Sequence, residues 1–220
     1  VPVRRVRRSE LDALAGAVEH RGAGLLLAGG IGEAKPAFDG PKAAAGGPAG
    51  GGAGGLRERL ASISSPTALI LLLDEISDPH NLGAILRSAD QFGAELAILP
   101  TRRAARQTQA VVKSSAGASL YVPLHSVTSL ASALESVKEA GFWVYGADLG
   151  GRRLDSVRFE GRVALVLGSE GSGLRRLVRE RCDLLVRIPS GGRVDSLNVS
   201  VAAGILMHEI RRQQGFPGFP

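Results

Sequence analysis

Apolar and polar positions divide this chain into a patterned body and an unpatterned front. From residue 68 onward, continuous apolar runs alternate with amphipathic segments. Residues 68–73 read Ala-Leu-Ile-Leu-Leu-Leu, as expected of a strand covered on both faces. The pattern then predicts a helix over 81–92, a strand over 95–99, a short helix over 107–112 and a helix over 127–140 that stops at Gly141. Further strands are expected at 142–145, 163–167 and 184–187. A helix over 174–181 separates the last two, and a long helix over 197–212 closes the chain. Such alternation predicts an α/β fold, a mostly parallel sheet flanked by helices. Topology rules alone favour an unknotted doubly wound arrangement.

The front is different. Ser9 is placed to cap a helix through Glu10, Leu11, Asp12, Ala13 and Leu14, and Leu25, Leu26 and Leu27 form a short strand. Residues 29–55 are dominated by glycine, alanine and proline, which cannot bury enough surface to offset their ordering entropy, so a linker is expected. The chain thus reads as a small basic unit (1–28), a linker (29–55) and a main domain (56–220).

Charge points toward a polyanion. The formal net charge is +6, and 23 arginines stand against 4 lysines. The planar guanidinium fork suits phosphate, although a GC-rich genome produces the same bias. Arg4, Arg5, Arg7 and Arg8 form a basic arm that fits RNA phosphates or a solvated terminus equally well. Aromatic residues make up only 4%, which argues against a base-stacking platform. The single cysteine, Cys182, rules out an internal disulfide, fits a reducing cytoplasm and reads as a structural thiol. His20, His80, His125 and His208 lack metal-ligand spacing, so no metal is expected. No apolar run is long enough for a membrane span.

Three segments put polar residues at strand-to-helix turns, where α/β proteins build sites. In the first, Asn81-Leu-Gly-Ala-Ile-Leu-Arg87, Asn81 is placed to cap a helix, Gly83 permits close backbone approach, and Arg87 lies in an otherwise inward-facing stretch that would demand an anionic partner. In the second, Leu167-Gly-Ser-Glu-Gly-Ser-Gly-Leu174, the glycines run G-x-x-G-x-G; this is neither a dinucleotide fingerprint nor a P-loop. Glu170 gains little packing among them, which favours a site. The third, Ile188-Pro-Ser-Gly-Gly-Arg-Val-Asp-Ser-Leu-Asn-Val-Ser200, supplies more polar side chains before its helix than one cap needs.

In this order and spacing the three segments resemble the motifs of the SpoU (TrmH-like) RNA ribose 2'-O-methyltransferases of the SPOUT superfamily. The resemblance runs from about residue 68 to about 213. It implies a C-terminal trefoil knot lining a pocket for S-adenosyl-L-methionine, a homodimer built near the knot with active-site groups crossing the interface, and an RNA substrate. It also implies a catalytic set of Asn81, Arg87, Glu170, Ser196 and Asn198, with Arg87 acting on the ribose hydroxyl; on physical grounds Glu170 is expected to orient Arg87, and Asn81, Ser196 and Asn198 to position the ribose or cofactor. Backbone groups of Gly168, Ile188 and Leu197 would hold the adenosine. Ser190-Gly191 departs from the usual methionine or leucine plus small residue and would loosen the adenine wall. The stretch Lys113-Ser-Ser-Ala-Gly-Ala118 also resembles the family and is expected to be structural first, with an RNA contact through Lys113.

The methyl donor is already activated, so the inferred reaction needs alignment, a proton acceptor and exclusion of water rather than a metal. His20-Arg21-Gly22 is similar to the end of the small RNA-binding domain in the rRNA-modifying branch, which makes residues 1–28 a remnant of that domain. The first expectation is therefore methylation of a guanosine in large-subunit rRNA in the cytoplasm. A tRNA methyltransferase is the second. A non-catalytic RNA-binding or ribosome-assembly relative is the third, disfavoured because a binder has no chemical need for the full polar set.

Overall fold

In a computed structural model of the chain, the residues described are 53–101, 111, 114–115, 117–193 and 196–219. The front unit, most of the linker, the short helix expected over 107–112 (Val111 apart) and Lys113 lie outside them.

Six strands form one sheet: β1 (Leu69–Asp74), β2 (Leu96–Pro100), β3 (Leu124–Val127), β4 (Trp143–Arg153), β5 (Val163–Gly168) and β6 (Leu184–Arg187). Their order is β3-β2-β1-β5-β4-β6, and every pairing is parallel. Five helices accompany them among the described residues: α1 (Ala53–Ala61), α2 (Pro79–Gln91), α3 (Leu130–Glu139), α4 (Arg176–Glu180) and α5 (Val199–Gln213).

The two faces of the sheet explain the uninterrupted apolar strands. Leu69, Leu71 and Leu73 of β1 join Val163, Leu165 and Leu167 of β5 in a core against α2 and α5. The alternate residues Ile70, Leu72, Ala164 and Val166 face a second core with α1, α3 and α4. Both faces are covered, so every residue of β1 and β5 is buried.

Three elements depart from the sequence expectation. Residues 124–127 are a strand, and the helix expected from 127 begins at Leu130 behind the Ser129 cap, whose hydroxyl accepts the Ser132 amide at 3.2 Å. Helix α1 starts at Ala53 despite its glycines, because Leu56 and Leu60, one turn apart, both bury against the second core. β4 runs on to Arg153, well beyond residue 145. Its tail is irregular, and Val186 is registered with both Ala147 and Arg152. A Cβ on Gly151 would meet the Leu185 carbonyl and the Val186 nitrogen, so only glycine lets this tail lie against the β6 backbone.

Helix α5 is clamped at its C-terminal end. Arg211, only 3% exposed, donates from Nε to the Phe92 carbonyl at 2.7 Å, from Nη1 to Thr67 at 2.7 Å and from Nη2 to Gly93 at 2.6 Å. Next to it, Gln213 accepts the Phe159 amide at 2.9 Å and donates to the Val157 carbonyl at 3.0 Å. One guanidinium thus serves the end of α2 and the approach to β1 together. Replacing it (Arg211→Met) strands those carbonyls, and a loss of roughly 2–3 kcal/mol is expected, read as a lower urea midpoint with an unchanged m-value.

Candidate functional site

Strands β1 and β5 are neighbours, yet the chain leaves them in opposite directions, β1 toward β2 and β5 toward β6. Their C-terminal ends form the topological switch point, where a crevice opens in sheets of this kind. Asp74 and Gly168, the last residues of the two strands, are in register there.

The first motif leaves β1 at this point. Asp78, rather than Asn81, caps α2: its carboxylate accepts the His80 amide at 2.9 Å, and Pro79 occupies the first helical position. Asn81 is therefore free for another task, and it is almost fully buried. Gly83 faces Ser114, whose side chain a Cβ at 83 would overlap. The Ser114 hydroxyl donates to the Pro79 carbonyl at 3.0 Å. The glycine of the motif thus admits Ser114 and Ser115 against the start of α2.

The second and third motifs meet Asn81. Its Nδ2 donates to Glu170 Oε1 at 2.5 Å. Asn198 Nδ2 donates to the same oxygen at 2.6 Å and to Asn81 Oδ1 at 3.0 Å. The other end of the Asn198 amide caps α5, with Oδ1 accepting from Ser200 N at 2.9 Å, Ser200 Oγ at 2.6 Å and Val201 N at 3.4 Å. Asn198 is thus both the cap and a junction residue. Glu170 Oε2 has no partner among the described residues.

The remaining motif residues are placed around this junction. Gly168 is buried at the end of β5, where a Cβ would run into the backbone of Gly173 and Leu174. Ile188 follows β6 and packs on the edge of the first core. Ser196 is exposed, and Leu197, beside Asn198, is 41% exposed.

Arg87 is the exception. It lies on the exposed side of α2, with no hydrogen-bond or ion-pair partner among the described residues. It is six residues beyond Asn81 and so points about a third of a turn away from it. Within one chain Glu170 holds two asparagines and does not orient Arg87. Arg4, Arg5, Arg7, Arg8 and Lys113 lie outside the described residues.

Nearby side chains hold the frame. Asp148 of β4 accepts Arg179 Nε at 2.8 Å and the Gly150 amide at 2.8 Å. Burial works to raise its pKa, but these bonds prevail and hold the carboxyl below its usual range. Burial pushes the Cys182 thiol up to about 12, and its Sγ lies 3.3 Å from the Val178 carbonyl, the state of a structural thiol. Among the described residues no group of three His, Cys, Asp or Glu side chains is placed to hold a metal, and no helix is long and apolar enough to cross a membrane.

Local pattern leaves Asp74 and Arg175 unmarked, although they join across the base of the Glu170 loop. The one available signal is an aspartate ending an otherwise wholly apolar strand.

The junction makes a pH-dependent expectation. Asn198→Ala removes the cap, which is expected to cost about 1 kcal/mol, and adds no charge beside Glu170. Asn198→Asp keeps the cap but sets a second carboxylate against Glu170. The pair raises a folded-state pKa above its unfolded value, so the penalty is complete above the folded pKa and absent below the unfolded one. Asn198→Asp should therefore be the less stable variant at pH 7, and the gap should close as the pH falls from the raised folded-state value toward the unfolded one of about 4. Equal gaps at pH 7 and pH 4 in urea melts would show that the two side chains do not meet.

Known proteins share both the segments and the fold. The model of the SpoU rRNA Methylase family matches residues 68–208. A 23S rRNA (guanosine-2'-O-)-methyltransferase RlmB from Xanthomonas campestris pv. campestris is 41% identical over 215 residues, 97% of this chain and 79% of that protein. The RlmB of a Burkholderia species is 52% identical over 147 residues, 66% of this chain and 60% of that one. The SpoU methyltransferase AviRb from Streptomyces viridochromogenes, solved in complex with the cofactor AdoMet, is similar with a TM-score of 0.64 and 31% identity, over 71% of this chain and 61% of that one. Against three further tRNA/rRNA methyltransferase relatives, the chain spans 41% to 64% of their length. A match that runs through all three motif segments, on a fold shared with a solved member, places this chain in the SpoU rRNA methylase family.

Proposed function

We propose that this protein is an S-adenosylmethionine-dependent RNA ribose 2'-O-methyltransferase whose substrate is a guanosine in 23S rRNA. The observation that carries the reading is the junction of Asn81, Glu170 and Asn198 at the β1/β5 switch point. It draws one polar residue from each motif to the C-terminal edge of the sheet. The RlmB relatives support guanosine and 23S rRNA as the substrate.

The residues present suit the cofactor. Leu197 and Ile188 leave apolar side chains accessible at the C-terminal edge, as a purine face requires. A Cβ on Gly171 or Gly191 would meet nothing within 4 Å, so the surfaces of both loops are open to a ligand. Backbone groups of Gly168, Ile188 and Leu197 would hold the adenosine and the exposed Ser196 would meet a ribose, with Asn198 acting through the junction it completes. S-Adenosylmethionine, when bound, supplies a methyl group already activated on sulfonium.

The chain's own task is to align a ribose hydroxyl and accept its proton. Glu170 Oε1 is committed to the two asparagines, which fixes the carboxylate and leaves Oε2 to accept from the hydroxyl. Arg87 stabilises the developing alkoxide, a role that suits a guanidinium better than proton abstraction does. A homodimer brings Arg87 to the site. The face of α5 that carries Val201 and Ile205 is exposed, and a groove of about 560 Å³ lies between α5, Leu154 and α2, with Ser88 beside Arg87 on its wall. A second copy seated there covers that face and takes Arg87 across the interface. Membership of the SpoU rRNA methylase family supports the C-terminal trefoil knot of the SPOUT fold. The basic arm Arg4, Arg5, Arg7 and Arg8, together with Lys113, contacts RNA, and the reaction belongs to the cytoplasm.

Calorimetric titration with S-adenosylhomocysteine is the first test. The wild type is expected to bind and a folded Leu197→Arg variant to lose binding by at least tenfold; a folded wild type that binds nothing overturns the reading. In methyl-transfer assays on 23S rRNA, Arg87→Lys should keep the charge and lose most of the turnover. Near-wild-type turnover in that variant would remove the guanidinium from the mechanism.

A further inference from the structure

We infer that Asp74 and Arg175 are positioning residues, forming an ionic latch that sets the loop carrying Glu170; for its catalytic consequence this rests on the function proposed above. Asp74 ends β1 and is completely buried. Its carboxylate accepts three contacts from one residue: the Arg175 backbone amide at 2.8 Å on Oδ2, Nε at 2.7 Å on Oδ1, and Nη2 at 2.7 Å on Oδ1. Arg175 Nη1 also lies 3.5 Å from Glu75 Oε1. Glu75 has a φ of 61°, a left-handed conformation that a residue with a side chain adopts only when its surroundings demand it.

The latch closes a specific piece of chain. Gly168 is in register with Asp74, so the loop leaves β5 beside the carboxylate that later captures Arg175. Between these ends Ser169 and Gly173 exchange backbone hydrogen bonds at 3.2 and 3.0 Å. Only Glu170, Gly171 and Ser172 remain at the tip, and Leu174 is buried in the second core. The loop is pinned at its base, and Glu170 Oε1 then meets Asn81 and Asn198.

An apolar pair would fill this position without the desolvation penalty of a buried carboxylate. What this ion pair adds is direction, because the guanidinium donates to Oδ1 in one plane while the backbone amide of the same residue donates to Oδ2. The latch therefore acts on the orientation of Glu170 more than on the stability of the sheet.

Hydrogen exchange of the whole chain tests this without reference to activity. In Asp74→Asn, amides of residues 169–174 should exchange at least tenfold faster, while those inside β1 and β5 keep their protection. If Asp74→Asn fails to fold, the charge-neutral double variant Asp74→Asn/Arg175→Met carries the same comparison. Unchanged exchange in the loop overturns the latch. Methyl transfer supplies the second arm: kcat should fall at least tenfold in Asp74→Asn, and by less than twofold when the same change is made in a Glu170→Gln background. Losses that multiply across the two backgrounds overturn action through Glu170, because a purely structural defect is indifferent to which residue stands at 170. A wild type that transfers no methyl group defeats the proposed function, and the exchange arm then decides the latch alone.

Discussion

Oxygen Oε1 of Glu170 takes hydrogen bonds from Asn81 and Asn198, residues that precede and follow it by 89 and 28 positions. Three segments that share no local contact are thereby brought to one point at the end of the sheet. The arrangement is economical in hydrogen-bonding groups. The Asn198 oxygen satisfies the start of α5 while its nitrogen serves the junction, and the Asn81 oxygen accepts from Asn198 while its nitrogen reaches Glu170. An aspartate at either asparagine position would keep the shape and lose the donor.

The sheet explains why this point exists. Because β1 and β5 are adjacent and lead to opposite sides, the loops after them diverge and leave space at their ends. Two apolar layers keep the strands fixed beneath that space, and the Arg211 clamp ties the end of α5 to the segments that bracket β1 and α2. The polar junction at one end of α5 and the carbonyl clamp at the other add to a buried stripe of Val199, Ala203, Leu206, Met207 and Ile210, while the Val201 and Ile205 face stays exposed among the described residues.

How much of this is legible in sequence depends on whether the cause is local. Strands at 68–73, 163–167 and 184–187 agree with β1, β5 and β6 to within a residue, because double-sided burial removes polar interruptions. β3 is not legible: His125 and Ser126 spoil its apolar run, and it is a strand only because β2 pairs with it. Asp78 and Asn81 are both capping residues three positions apart, and pattern alone does not say which one caps. Pattern likewise gives Arg87 a buried, paired setting, whereas the turn of α2 places it outward. Asp74 and Arg175 stand 101 positions apart, and nothing short of the folded sheet reveals that they meet.

The parallel sheet also imposes an order in time. No strand pair in it is a hairpin, and β1 at the centre waits for β5, which follows it by roughly 90 residues, to cover one of its edges. At ordinary rates of synthesis that interval is about 5–20 s, during which this wholly buried strand has one edge unpaired. β5 must then insert between β1 and β4, both already made. The nascent chain therefore passes through a stage in which the crevice at the ends of β1 and β5 is an open seam, which closes only after Gly168 has emerged.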